Sequence, residues 1–159
     1  MNLTNEKLET KAEEVTDFKA SYLKAIKVKD WLKGKPAYAI AFNQLGLEER
    51  CFVANRGKSL KLKSNIIFNP SYKAADGFEE IESEEKCLSY PGQKFKIKRF
   101  DKVRVEYFIF DIGSKIKKII DDLKGTSAIV FQHETDHLNG ITDIMKDEDL
   151  KKIGDKLDG

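Results

Sequence analysis

A chain of 159 residues that is 40% apolar and 35% charged has enough material for one soluble domain with its own core, and two domains would each be small. Lys and Arg number 29 against 27 Asp and Glu, and with no uniformly basic segment the net charge of +2 gives no basis for DNA binding. The polar N-terminus, MNLTNEKLETKAEE, lacks the apolar core of a signal peptide, and no apolar run approaches the roughly 20 residues that span a bilayer.

The first element is a helix. TDFKASYLKAIKVKDWLKGK places Phe18, Tyr22 and Ile26 at four-residue spacing, with Thr16 or Asp17 as N-cap and Gly34 and Pro36 as the stop. After Pro36 come short, apolar, partly β-branched runs, AYAIAF, RCFVAN and NIIFNP, separated by turn residues as strands are. Pro36, Pro70 and Pro91 read as turn or boundary markers. In KVRVEYFIF, Val103, Val105, Tyr107 and Ile109 alternate with Arg104, Glu106 and Phe108, the period of a half-buried strand. The lysines at 115, 117 and 118 read as a solvated turn or helix face. GTSAIVFQHETDHLNG returns to helix, with Thr126 or Ser127 as cap and Asn139-Gly140 as stop. The tail after it, from about residue 146 to 159, adds at most a short helix. The order helix, strands, long helix argues for one α+β domain over 1–159.

The only two histidines, His133 and His137, lie four positions apart in the last helix, on one face. That spacing lets two imidazole nitrogens reach one metal ion at roughly 2.0–2.1 Å. Glu134, rotated about the axis, reaches water beside the ion, so H-E-x-x-H is a metal site with a built-in base. A catalytic ion needs a third protein ligand. One candidate is a downstream carboxylate: HETDHLNGITD also fits the metzincin pattern, with Asp143 as the ligand. Metzincins, however, are usually exported and carry a methionine turn well beyond the helix, where this chain offers only Met145. The other candidate is Cys87, in EEKCLSYPG, flanked by a polar approach and a Pro-Gly turn. Cys51 sits in an apolar strand and reads as core. Two cysteines make a thin disulfide framework, so reduced thiols and a cytoplasmic location are expected, whether the gene is bacterial, organellar or phage-borne.

Three stretches together resemble the motifs of the peptide deformylase family, G-x-G-x-A-A-x-Q, E-G-C-x-S and H-E-x-D-H, in that order. They are AYAIAFNQ (37–44), EKCLS (85–89) and HETDH (133–137), with LEERCFVAN and IIFNPSY similar to the family's intervening strands. The resemblance runs from about Leu8 to Met145. It implies small antiparallel or mixed β-sheets packed around a central H-E-x-x-H helix, with a further helix at the N-terminus. It makes Cys87, His133 and His137 the ligands of one divalent ion, Fe²⁺ natively, with Zn²⁺ or Ni²⁺ able to substitute. Glu134 becomes the acid/base, while the Gln44 amide and the Leu88 N–H face the substrate carbonyl. Arg99, fourteen positions after Glu85, becomes its ion-pair partner. Ile129, one turn before His133, is the candidate wall for a methionine side chain. The substrates implied are N-formylmethionyl peptides, with the ribosome as an associated partner.

The chain also departs from the motifs. Ala37 and Ala39 replace the glycines of the first, Phe42 replaces its second alanine, and Lys86 replaces the glycine of the second. A methyl at Ala39 is expected to narrow the peptide cleft. The alternative outcome is therefore a deformylase-like protein that binds metal or peptide with weak or no turnover.

Overall fold

The computed structural model describes residues 1–55, 60–111, 113 and 115–147. Helix α1 (Phe18–Leu32) is followed by β1 (Ala39–Ala41), a 3₁₀ turn (Phe42–Leu45), β2 (Cys51–Ala54), β3 (Ile66–Ala74), β4 (Glu80–Glu85), β5 (Phe95–Phe100), β6 (Lys102–Phe110) and β7 (Ile116–Lys124). Helix α2 (Gly125–Leu138) and the single turn α3 (Asp143–Lys146) complete it. Five strands form one sheet in the order β1-β2-β3-β6-β7, and β4 and β5 form a separate hairpin; every strand pairing is antiparallel.

The central strands are buried on both faces, which explains their unbroken apolar runs. Successive side chains of a strand point to opposite sides. Ala39, Ala41, Phe52 and Ile67 therefore join Phe131 and Leu138 of α2, while Ile40, Val53, Ile66 and Phe68 join Ala25, Val28 and Leu32 of α1. The large sheet thus lies between the two helices, and α2 is wedged between it and the hairpin. Asp17 caps α1 by accepting from the Ala20 N–H. The buried line of that helix runs through Ser21, Ala25, Val28 and Leu32; Phe18 and Tyr22 flank it, and Ile26 is exposed.

Three readings of the sequence need correction. Lys115, Lys117 and Lys118 belong to neither a turn nor a helix face: Lys117 and Lys118 lie in β7, an edge strand whose outward side chains meet water, and Lys118 pairs with Glu106 across the ladder. Neither Thr126 nor Ser127 caps α2, because the helix starts directly from β7 at Gly125 (φ +62°) with Lys124 in the cap position. Ser127 instead accepts the Lys61 N–H at 2.8 Å. Pro70 does not bound a strand but lies inside β3, where the register shifts between Phe68 and Ser71 and no ladder bond needs its missing N–H. Of the expected tail helix only α3 lies within the described residues; 148–159 fall outside them.

The C-terminal carbonyls of α2 find donors in the rest of the molecule. The Ala12 N–H and Arg50 reach the Leu138 carbonyl at 2.8 and 3.1 Å, and the Asn43 amide donates to that of His137. Gly140, at φ +79°, ends the helix beneath the N-terminal segment, where a Cβ would lie 2.8 Å from the Glu9 carbonyl oxygen. This anchoring fixes the helix that carries both histidines.

Candidate metal centre and cleft

On α2 the Nε2 atoms of His133 and His137 lie 3.0 Å apart. Cys87 stands two residues beyond the end of β4, in a loop folded back by Tyr90 N–H to Cys87 O and Gln93 N–H to Tyr90 O bonds. Its Sγ lies 3.5 Å from His137 Nε2. Donors around one ion bound at about 2.0–2.3 Å sit roughly 3.3–3.7 Å from one another, so a thiolate and two imidazoles here fit a divalent cation after small shifts. Asp143 enters the same cluster: one donor atom from each of Cys87, His133, His137 and Asp143 lies within 4.8 Å of the others. The buried Glu134 Oε2 and Asp143 Oδ2 have no hydrogen-bond partner among the described residues, orphaned lone pairs that a cation bound nearby would satisfy.

A buried ion-pair chain orients the donors. His133 Nδ1 sits 2.6 Å from Glu85 Oε1, leaving Nε2 to face the cluster. Arg99 grips Glu85 through Nε and Nη2 at 2.9 and 2.8 Å, and its Nη1 reaches Asp136 Oδ2 at 2.5 Å. Asp136 in turn accepts from the Tyr72 hydroxyl at 2.6 Å and from Lys146 Nζ at 2.7 Å. Asp136 and Tyr72 escape a reading of the sequence. The available signal was an acidic residue on the buried side of the histidine helix, which needs a cation somewhere. Burial opposes ionisation of Glu85, yet the bonds from His133 and Arg99 outweigh it and hold the carboxyl down to about 2.

Glu134 is in the opposite situation. Burial, helped by the charges of Asp143 and Glu85 and resisted by His133 and Arg99, pushes its carboxyl up to about 7. Burial also raises the Cys87 thiol and takes His137 well below the usual imidazole range. His133, despite burial, is raised by its bonds to Cys87 and Glu85. Without a metal the cluster therefore favours a protonated thiol, a neutral His137 and a protonated His133.

Gln44 is delivered by the 3₁₀ turn after β1. Its Oε1 accepts the Ala41 N–H at 2.9 Å, which turns the NH₂ towards Ser89 Oγ at 2.9 Å and Cys87 Sγ at 3.2 Å. The donors open into a cleft of about 700 Å³ lined by Ala37 and Ala39, by Lys86 and Leu88 of the cysteine loop, and by Ile129, His133 and Glu134 of α2. Two departures from the motifs separate here. Ala39 faces the cleft, whereas Phe42 is fully buried in the α1-side core and adds nothing to the opening. Lys86 is exposed at the mouth. Both cysteines are free, and among the described residues no helix is long and apolar enough to cross a membrane.

An α+β chain whose H-E-x-x-H helix meets a cysteine from a hairpin loop defines a metalloprotein with a Cys/His/His donor set. The polypeptide deformylase family model matches residues 1–152, and the chain belongs to the peptide deformylase family. It is 37% identical over 108 residues to the peptide deformylase of Aquifex aeolicus, a match covering 65% of this chain and 59% of that one. It is 37% identical over 122 residues to that of Rhodopirellula baltica, covering 75% and 58%. The chain thus spans less than two thirds of these relatives' lengths. The solved structure of Plasmodium falciparum peptide deformylase in complex with an inhibitor superposes with a TM-score of 0.76 at 30% identity, covering 98% of this chain and 95% of that one. Membership of this family replaces the metzincin alternative, although Asp143 does stand at the metal centre.

Proposed function

We propose that this chain, acting as one domain, is a metal-dependent amide hydrolase that removes the N-formyl group from the N-terminal formylmethionine of newly made polypeptides in the cytoplasm, as they emerge from the ribosome. The observation that carries the reading is Glu134, a buried carboxyl beside three metal donors and lining the same open cleft, the position from which a carboxylate serves as general acid/base.

Cys87, His133 and His137 hold the ion, with Fe²⁺ as the native metal. When bound, a divalent ion polarises a carbonyl oxygen and lowers the pKa of water towards about 7. Glu134 accepts the proton of the attacking water as oxygen bonds to the formyl carbon. It then passes that proton to the departing nitrogen as the C–N bond breaks, giving formate and a free N-terminal amine. Negative charge that develops on the formyl oxygen meets the Gln44 NH₂, already aimed at the Cys87 loop, and the Leu88 backbone N–H. Glu85, gripped by Arg99, keeps the His133 ring turned so that Nε2 faces the donor cluster, where it would hold the ion. Ile129 lines the cleft one turn from His133 and forms an apolar wall for the methionine side chain.

The test is formate release from formyl-Met-Ala-Ser by anaerobically prepared protein loaded with Fe²⁺ or Ni²⁺. Stoichiometric metal with no release would sink the enzyme reading and leave a deformylase-like binding protein.

A further inference from the structure

The sequence offered two candidates for the third metal ligand, and the structure brings both to the same place. Asp143 follows the tight turn at Gly140 and opens α3, where Thr142 caps by accepting the Met145 N–H at 3.3 Å. Its carboxylate is 4% exposed and points back at the histidines: Oδ1 lies 3.6 Å from His133 Nε2 and 4.0 Å from His137 Nε2. Its other oxygen, Oδ2, is buried without a hydrogen-bond partner among the described residues. In the metal-free protein the charge that faces this carboxylate is His133, and a divalent ion at the cluster would take over that partnership, because a buried carboxylate needs a cation beside it. Arg99, which neutralises the neighbouring acids, is committed to Glu85 and Asp136.

Of the two buried acids within 4 Å of His133 Nε2, Asp143 shares the donor cluster with Cys87, His133 and His137, and Glu134 stands outside it. Donors around one four-coordinate ion are separated by roughly 3.3–3.7 Å; the Asp143–His133 separation of 3.6 Å falls in that range, and the 4.0 Å to His137 lies just beyond it, a shift of a few tenths of an ångström away. We infer that Asp143 is a fourth protein ligand, so that the resting centre is a closed Cys/His/His/Asp set of one sulfur, two nitrogens and one oxygen. Catalytic sites of this kind keep three protein ligands and an open position, whereas four protein ligands close the site. Asp143 therefore has to leave the ion before water or a substrate oxygen can take its place. Its seat on the single turn of α3, beyond the end of α2, allows that movement without disturbing the histidines.

The inference rests on the metal centre and not on deformylation, so the two are tested separately. The deciding measurement is a crystal structure of the Zn²⁺-loaded wild-type protein without substrate. A carboxylate oxygen of Asp143 is expected at about 2.0–2.2 Å from the ion. Water in the fourth position, with both Asp143 oxygens beyond about 3 Å, overturns the proposal. In solution, D143N is expected to lose tenfold or more in Zn²⁺ affinity by chelator competition and to change the visible absorption of the Co²⁺-loaded protein. Unchanged affinity and an unchanged Co²⁺ spectrum also overturn it; should D143N fail to fold, the wild-type crystal decides. Asp143 bound in a protein that releases no formate would leave this inference standing and sink the proposed function. Formate release from a centre with water in the fourth position would do the reverse.

Discussion

Along α2, His133 is held by Glu85, Glu85 by Arg99, and Arg99 by Asp136 on the helix itself. Elsewhere in the cleft lining, β1 and the segment leading into it offer the methyl groups of Ala39 and Ala37. The first wall is a closed loop of buried charges in which each group depends on the next. The second is backbone and small side chains, whose shape follows from how β1 pairs with β2. Of the departures from the family's motifs, Ala37 and Ala39 line the cleft, Lys86 stands at its mouth and Phe42 lies in the core, while the metal donors and Glu134 are kept. Buried charges tolerate little change because the loss of one partner strands the others, whereas a methyl at a cleft edge alters fit without stranding anything.

The sharpest way to break that contrast is Glu134→Ala. It is expected to retain stoichiometric metal while deformylation falls by about 10²–10⁴-fold, the usual contribution of a positioned acid/base. Full activity with metal bound would remove Glu134 from the mechanism. Next is Arg99→Ala, which leaves Glu85 and Asp136 buried without their cation. A loss of about 3–5 kcal/mol in urea unfolding is expected, together with a 10–100-fold fall in Zn²⁺ affinity as His133 loses its fixed orientation. A stability change without any loss of affinity would separate the ion-pair chain from the metal centre.

The pH dependence of the metal-free protein probes the same wall. Glu85 is held at about 2 against an ordinary value of 4.5. A carboxyl depressed by folding stabilises the native state above its unfolded pKa, and that contribution is lost as pH falls through the folded pKa. Wild-type protein should therefore exceed Glu85→Gln in stability by up to about 3 kcal/mol near neutrality, converting the shift at roughly 1.4 kcal/mol per unit. The gap should close as pH falls from about 4.5 to 2; a gap that persists in acid would place its origin in packing.

Away from the charged wall, Phe42 in the core and Ala39 at the cleft make a matched pair. Phe42→Ala restores the family residue yet empties a filled core site, and is expected to cost about 3 kcal/mol of stability while leaving KM for formyl peptides unchanged. Ala39→Gly also restores the family residue, but at the cleft. It is expected to cost only about 0.5–1 kcal/mol, the ordinary penalty of glycine in a strand, and to lower KM a few-fold. Equal KM values for Ala39→Gly and wild type would show that the cleft edge does not set substrate fit.

Much of this was written locally. The α1 boundaries, the strands through Phe52, Ile67 and Val105, and the H-E-x-x-H helix follow from periodicity and end signals, which depend on residues a few positions apart. An edge strand such as β7 carries little of that signal, since only Ile119 and Leu123 of its nine residues are buried. The motifs also named Cys87 and Glu134, because metal and proton chemistry restrict which residue types serve. Tertiary structure decided what lies between distant segments. It added Asp136, 37 positions from Arg99, to the Glu85–Arg99 pair that the motif spacing had implied, turned Phe42 into the core, and brought Asp143 beside the cysteine that had seemed its rival. The physical reason is that side chains on one element reveal its period, while the partner of a buried charge depends on the path of the whole chain.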